Sequence, residues 1–333
     1  MATDVALDIG TTSTRVATSR GIIFDEPTLV AIDTTSGAVV DVGHNALSLV
    51  GRTPRHVAVF RPLSQGTTVD FDVTARLIAG LLERAGVSKL SRARVVMSVP
   101  SLATSIERRA LRQAAMQAGA REVSLMEAPI AAAVGLGMPV QEPIGSAVAV
   151  LGGGASEAAL VSLGGIVTSG AHRVGGSDID ASLATLLRLR QGVVVPPATL
   201  DAIKLGLGSA RQRTAGQAVI VPARTVDSGR PVEVEVRAEL VNEALATVVQ
   251  VTIKLIQKCL AQAPPDLSQD ISQSGLTLVG GNAELQDFAE LLALSTGVQI
   301  HVAPEPSTVI IRGLQMCLEQ MSTMHALFRA NDN

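Results

Sequence analysis

The chain has 333 residues, 47% of them hydrophobic and 17% charged, with a formal net charge of −3. That length exceeds what one core usually supports, so two lobes are expected in a globular protein. No basic field accompanies it, which argues against a nucleic-acid partner and leaves any polyanion binding to local groups.

Met1-Ala2-Thr3-Asp4 lacks the basic and apolar regions of a secretory leader. No uninterrupted apolar run reaches the ~18 residues of a membrane span, so neither secretion nor membrane insertion is expected. Residues 5 to 32 read as three short strands, with Gly21 and Asp25-Glu26-Pro27 as turns. A polar stretch from Asp33 to Gly37 opens a small region ending near Arg61-Pro62, too short for its own core and expected to lean on the first lobe. From Asp72, residues Val73, Leu77, Ile78, Leu81 and Leu82 share one helical face, and Gly86 supplies the stop. Arg94 to Pro100 reads as a buried strand, followed by a helix from about Thr104 that Gly119 can cap.

A short helix, Pro129 to Gly135, precedes a second strand meander from Ala147 to about Val174. After Gly175-Gly176 an insert carries helical segments near Asp178–Leu187 and Pro197–Leu207 and strands near Gln217–Val221 and Val232–Arg237. A long apolar-faced helix, Glu239 to Ala261, ends at Pro264-Pro265. Cys259 and Cys317 lie in apolar stretches and read as small buried hydrophobes, which suits a reducing cytoplasm. The last clear strand, Leu276 to Val279, breaks into Gly280-Gly281-Asn282 before another helix.

Two segments carry one device, an apolar strand that breaks into a turn of small residues and re-enters a strand. The first is Val5-Ala6-Leu7-Asp8-Ile9-Gly10-Thr11-Thr12-Ser13; the second is Val148-Ala149-Val150-Leu151-Gly152-Gly153-Gly154-Ala155-Ser156-Glu157. Small residues let backbone N–H groups approach a polyanion, and the hydroxyls of Thr11, Thr12 and Ser13 add donors, so two such turns read as a nucleotide clamp. Asp8 at its strand end is placed to hold Mg²⁺ or its waters; a turn aspartate capping its own backbone is the competing account. Glycine pairs and triplets are weak signals singly, but three strand-to-glycine breaks in a repeated pattern are harder to dismiss. Lys204, alone among small apolar residues, is a candidate for a ribose or base contact, against a solvated helix lysine. Glu127, before Ala128-Pro129, reads as a carboxylate that reaches the cleft or as one that favours a helix N-terminus. The five histidines, His44, His56, His172, His301 and His325, show no metal-ligand spacing.

In order along the chain stand Asp8-Ile9-Gly10-Thr11, Gly51-Arg52-Thr53-Pro54, Asp70-Phe71-Asp72, Ile106-Glu107-Arg108-Arg109, Gly152-Gly153-Gly154, Val174-Gly175-Gly176, Ile203-Lys204 and Gly280-Gly281. On these residues the whole sequence resembles the actin-like ATPases, and within them the MreB family of bacterial cell-shape filament proteins. The resemblance implies an α/β, actin-like fold of two lobes, each with a duplicated ribonuclease-H-like core and a smaller inserted subdomain. It implies a first core of residues 1–31, 63–143 and 309–333 with insert 32–62, and a second core of 144–173 and 245–308 with insert 174–244. Mg-ATP would lie between the lobes against Gly10, Thr11, Thr12, Ser13, Gly152, Gly153, Gly154, Ala155, Lys204, Gly280, Gly281 and Asn282, with Asp8 on the Mg²⁺ side. Protomers would stack head to tail into homopolymeric filaments, with a related MreB-like chain as a second partner.

The departures from the family pattern are as specific. A carboxylate usually stands where this chain has Val150, and the glutamate that orients attacking water has become Ala128. Ala155 replaces a hydroxyl of the phosphate loop, Ser177 an acidic residue, Gly206 a glutamate near the ribose, and Asn282 a third glycine. Loss of a base or orienting group typically costs ~10²–10⁴ in rate, so bound nucleotide with slow hydrolysis is expected unless Glu127 substitutes. The family also touches the inner membrane; here only Ser88-Lys89-Leu90-Ser91-Arg92 offers a weak, avidity-dependent peripheral contact. A non-polymerising nucleotide-binding adaptor is the alternative from another class. A sugar kinase of the same superfamily is disfavoured, because it needs an acidic base toward a sugar cleft.

Overall fold

The computed structural model describes residues 4–87 and 93–319. Residues 88–92, with the peripheral contact expected of them, and residues 320–333, with His325, lie outside the described residues. In the first half, β1 (Val5–Ile9), β2 (Ser13–Thr18) and β3 (Gly21–Pro27) form a meander, and β4 (Val30–Asp33), β5 (Val39–Val42), α1 (Gly43–Leu49) and β6 (Val57–Phe60) follow. A short hairpin, β7 (Leu63–Ser64) and β8 (Thr67–Thr68), leads to α2 (Phe71–Arg84), β9 (Arg94–Val99), α3 (Ser105–Gln117), β10 (Glu122–Glu127) and α4 (Ala128–Gly135).

The second half opens with another meander, β11 (Ser146–Leu151), β12 (Ser156–Ser162) and β13 (Gly165–His172). Then come α5 (Gly176–Gln191), β14 (Val193–Val194), α6 (Pro197–Leu207), β15 (Ala218–Thr225), β16 (Pro231–Arg237) and α7 (Ala238–Ala261). The chain continues through α8 (Pro265–Ser274), β17 (Leu276–Val279), a 3₁₀ turn at Gly281–Glu284, α9 (Phe288–Thr296), β18 (Ile300–Val302) and α10 (Val309–Glu319).

Two five-stranded sheets result, ordered β10-β9-β1-β2-β3 and β13-β12-β11-β17-β18. Read from the meander edge inward, both run third, second, first strand of the meander and then two parallel strands, so the duplication seen in the glycine turns extends to whole sheets. Parallel strands need covered faces. Val5, Leu7 and Ile9 point into a first-lobe core with α2 and α3, while Leu151, Ala149 and Ala158 point into a second-lobe core with α5, α6 and α7. The opposite faces meet in one shared core of Ala6, Val96 and Met126 from the first sheet, Val148, Val150 and Ala159 from the second, and α4 with α10 between them. These two helices cross at backbone contact: a Cβ added to Gly135 or Gly313 would overlap the carbonyl of Val309 or of Ala131.

Local signals explain most boundaries. Asp70 caps α2 by accepting from Val73 N–H at 3.0 Å, and Thr104 and Glu107 form a reciprocal capping box on α3. Residues 5 to 33 hold four strands rather than three, because Asp25-Glu26-Pro27 completes β3 and the break falls at Thr28-Leu29. The small region does hold a minor core of its own, Leu29, Ala31 and Ala46, besides leaning on the first lobe through Val30, Ile32 and Val42. Its three-stranded sheet starts at Val30, and α7 runs unbroken from the second insert into the second core. Pro264-Pro265 ends α7 and starts α8 at once, since proline is preorganised for a first helical turn. Among the described residues α7 alone is long and apolar enough to span a membrane by composition; here Leu245, Val249, Leu255 and Ile256 bury it in the second core.

Candidate functional site

The ends of β1 and β11 open into a cleft of about 590 Å³ between the lobes, within the range typical of small-molecule sites. Gly10, Thr11, Thr12, Ser13, Gly152, Gly153, Gly154, Ala155, Lys204, Gly280, Gly281, Asn282 and Asp8 all line it, as do Ala128 and Val150. Glu127 does not line it.

Both turns close in the same way. Gly10 N–H donates to the Ser13 carbonyl at 2.9 Å and Gly152 N–H to the Ala155 carbonyl at 2.9 Å. Each first glycine also has its carbonyl tied down: Thr28 Oγ1 donates to Gly10 at 2.7 Å, and Asn282 Nδ2 donates to Gly152 at 2.7 Å. Asn282, which replaces the third glycine of the family pattern, thus braces the second turn. The start of α5 docks there too, with Ser177 N–H donating to the Gly153 carbonyl at 2.8 Å. The N–H groups of Thr11, Thr12, Gly153 and Gly154 donate to no acceptor among the described residues. Backbone N–H groups clustered in this way can take an anion.

The turn tips face each other with no room for a side chain. A Cβ on Gly153 would lie 2.5 Å from Thr12 Cγ2, and one on Gly154 would overlap Thr11 Oγ1. Thr11 Oγ1 in turn accepts from Gly66 N–H of the β7–β8 turn at 2.9 Å. Glycine at 153 and 154 is therefore demanded by the opposite lobe.

Charge in the cleft is unevenly partnered. Lys204 Nζ lies 3.0 Å from Asp180 Oδ1 and 2.6 Å from Asp201 Oδ1, so the lysine is committed to two carboxylates while still lining the cleft. Burial raises the Asp180 carboxyl above its ordinary range, with Lys204 opposing. Glu127 is bound to Arg108 at 2.5 Å beside the cleft, and the next residue, Ala128, presents a methyl to it. Asp8 has no ion pair among the described residues; Ser98 Oγ donates to its Oδ1 at 2.6 Å. Burial lifts the Asp8 carboxyl above its usual value, the Ser98 bond and the Arg15 charge working against it. A half-buried carboxylate with no ion pair among the described residues fits a divalent cation, and hard oxygen donors are what Mg²⁺ takes.

One cleft residue escapes a reading of the motifs. Glu157 is 4% exposed and lines the cleft, and both Ser101 N–H and Ser101 Oγ donate to its Oε2, at 2.7 and 2.5 Å. Burial raises its carboxyl, the two Ser101 bonds opposing. The signal was present, because Glu157 is the one charged residue in β12, a strand buried along its whole length. Buried carboxylates rarely persist without a use or a partner.

Comparison with known proteins matches the geometry. The family model described as MreB/Mbl protein matches residues 2–326. The cell shape-determining protein MreB of Escherichia coli K12 is 37% identical over 329 residues, covering 97% of this chain and 94% of that protein. The crystal structure of MreB5 of Spiroplasma citri bound to AMPPNP superposes with a TM-score of 0.86 at 25% identity, covering 97% of each chain. A MamK double helical filament superposes at 0.78 with 17% identity, covering 96% of this chain and 99% of that one, a likeness of fold alone. Both superpositions embrace the two lobes together, and the fold is the actin-like one.

Proposed function

The chain belongs to the MreB/Mbl family, and on that premise we propose that it is a bacterial actin-like cytoskeletal protein. It binds Mg-ATP between its lobes and polymerises into filaments, hydrolysing the nucleotide slowly. The observation that carries this reading is the meeting of two matched turns, tip to tip, over a cleft that also holds Asp8. Unpaired N–H groups from both lobes converge where a phosphate tail would lie, and such a ligand is gripped from both sides only when the lobes close. Relatives bind AMPPNP in one solved structure and stack into a double helical filament in another.

Asp8, oriented by Ser98, is the residue that would hold the metal or its waters. Magnesium, when bound, draws charge from the terminal phosphates. Asn282 and Gly280-Gly281 would seat the nucleoside end against bare backbone, with Lys204 fixing the neighbouring wall through Asp180 and Asp201. Slow hydrolysis follows from the methyl of Ala128 and the apolar Val150, neither of which can accept a hydrogen bond from water. The protein is read as cytoplasmic, and the core and insert boundaries implied by its family stand as our reading of the lobes.

Pelleting and negative-stain microscopy with Mg-ATP, with a non-hydrolysable analogue and without nucleotide test the reading. Filaments should form with both nucleotides and persist, while phosphate release stays slow. A chain that binds nucleotide yet remains soluble at every concentration would be an adaptor instead.

A further inference from the structure

We propose that Glu157 is the water-positioning base of the cleft: its Oε1 takes the proton of the water that attacks the terminal phosphate of bound ATP. This rests on the nucleotide reading above.

Three observations converge on it. The first is register. In the antiparallel β11–β12 ladder Glu157 pairs directly with Val150, as Arg15 pairs with Asp8 in β1–β2. Directly opposed partners share one face of a sheet, so the second turn carries its carboxylate one strand over from where the first turn carries Asp8. Val150 lies in the core shared by the lobes, and Glu157 therefore faces the first lobe rather than the interior of its own.

The second is orientation. Ser101, just past the end of β9 in the first lobe, gives both its N–H and its hydroxyl to Oε2. Oε1 accepts no hydrogen bond from the described residues. One oxygen is anchored and the other is left to act. Because the anchor belongs to the first lobe and the carboxylate to the second, this orientation exists only while the lobes are together.

The third is elimination within the cleft. Asp25 is paired with Arg15 at 3.1 Å, Glu26 accepts from His44 N–H at 2.8 Å, and Asp180 and Asp201 share Lys204. Glu284 lines the cleft too, but it is exposed to solvent in the turn after β17. Asp8 and Glu157 are left without an ion pair among the described residues, one from each lobe. Asp8 sits where the metal is needed, and Glu157 is free for the water.

In the step, a bond forms between the water oxygen and the terminal phosphorus while the bond from that phosphorus to the bridging oxygen breaks, its electron pair leaving with ADP. The water proton passes to Glu157 Oε1 and then to the phosphate product. In a loose phosphoryl-transfer transition state the gain is largely positional. The charged groups around Glu157 are Arg108 of α3, Glu127 at the end of β10 and Arg173, which follows β13 and is held by Glu107 at 2.9 Å. Burial keeps the carboxyl above its ordinary range, with the Ser101 bonds and the Arg108 charge opposing.

The test uses the full chain, its Glu157→Gln and Glu157→Asp variants, equilibrium binding of a fluorescent ATP analogue, and single-turnover phosphate release from Mg-ATP across pH. Glu157→Gln should bind within about twofold of the parent and lose ~10²-fold or more in release, with Glu157→Asp regaining part of it. The parent's rate should fall on the acid side, and that limb should vanish in Glu157→Gln. Release within a few-fold of the parent, a persisting acid limb, or binding lost in step with release would each overturn the assignment. A parent that binds nucleotide but releases no phosphate above solution hydrolysis overturns it alone; a parent that binds none overturns the nucleotide reading as well.

Discussion

Glu157 faces Val150 across the β11–β12 ladder, at the place where Arg15 faces Asp8 in β1–β2. The first lobe thus opposes a carboxylate with a guanidinium, and the second opposes one with an isopropyl group. A carboxylate introduced at 150 would stand directly against Glu157, and like charges so placed repel.

Val150→Asp is accordingly expected to destabilise the protein by about 1–3 kcal/mol, since a charge enters the shared core without a partner. Val150→Asp with Glu157→Gln should recover at least ~0.5 kcal/mol of that loss, because the repulsion is gone. Denaturant unfolding of the parent, both single variants and the double variant closes the cycle. Strict additivity would mean that the two side chains do not meet.

Much of this architecture was legible in the sequence because its determinants are local. The stripe from Val73 to Leu82, the cap at Asp70 and the box at Thr104–Glu107 fix α2 and α3 without help from the rest of the chain. The turns were legible too, as both strand-to-glycine breaks bend where only small residues fit. What the sequence hid was set by partners far along the chain. Asp25-Glu26-Pro27 has the composition of a turn, yet β3 continues through it because it pairs with Ser13, Thr14 and Arg15. Glu127 reads from the sequence as a carboxylate that reaches the cleft or favours a helix N-terminus, whereas Arg108, nineteen positions earlier, holds it beside the cleft. Glu157 shows in the sequence only as the one charge in an apolar strand; the partner that orients it, Ser101, lies 56 positions away.

Glycine 154 provides a direct test of the closed cleft. A methyl there would overlap Thr11 Oγ1 and crowd Gly66 N at 2.8 Å, so Gly154→Ala must push the two turn tips apart. Nucleotide affinity should fall by at least ~10-fold, about 1.4 kcal/mol. Thr11→Ala, which clears the space, should restore part of the affinity when combined with it. Because the sequence has no tryptophan or tyrosine, a fluorescent nucleotide can be titrated without protein background.

Asp8→Asn keeps the size of the side chain and removes its charge. Affinity for Mg-ATP should drop by ~10-fold or more, whereas affinity for ATP in the presence of a chelator should hold or improve, since one negative charge near the phosphates is gone. Equal loss with and without magnesium would show that Asp8 shapes the turn rather than holding the metal side.

The last expectation concerns stability and pH in the absence of nucleotide. Burial raises the Glu157 carboxyl above the ordinary carboxylate value near 4.5 that it has in the unfolded chain. In the window above that value the folded state therefore binds more protons than the unfolded one, and stability falls as pH rises. Below the ordinary value both states are protonated and the penalty is absent; above the folded value it is complete. Glu157→Gln mimics the protonated form and can still accept from Ser101 N–H. It should melt higher than the parent at neutral pH, by about 2 °C or more if the relief reaches 1 kcal/mol. The difference should close as the pH falls below about 4. A residue retained at a cost in stability and needed for turnover is the usual signature of a functional site. A Gln variant that melts lower than the parent throughout would instead make Glu157 a structural tie between the lobes, and the two Ser101 bonds its purpose.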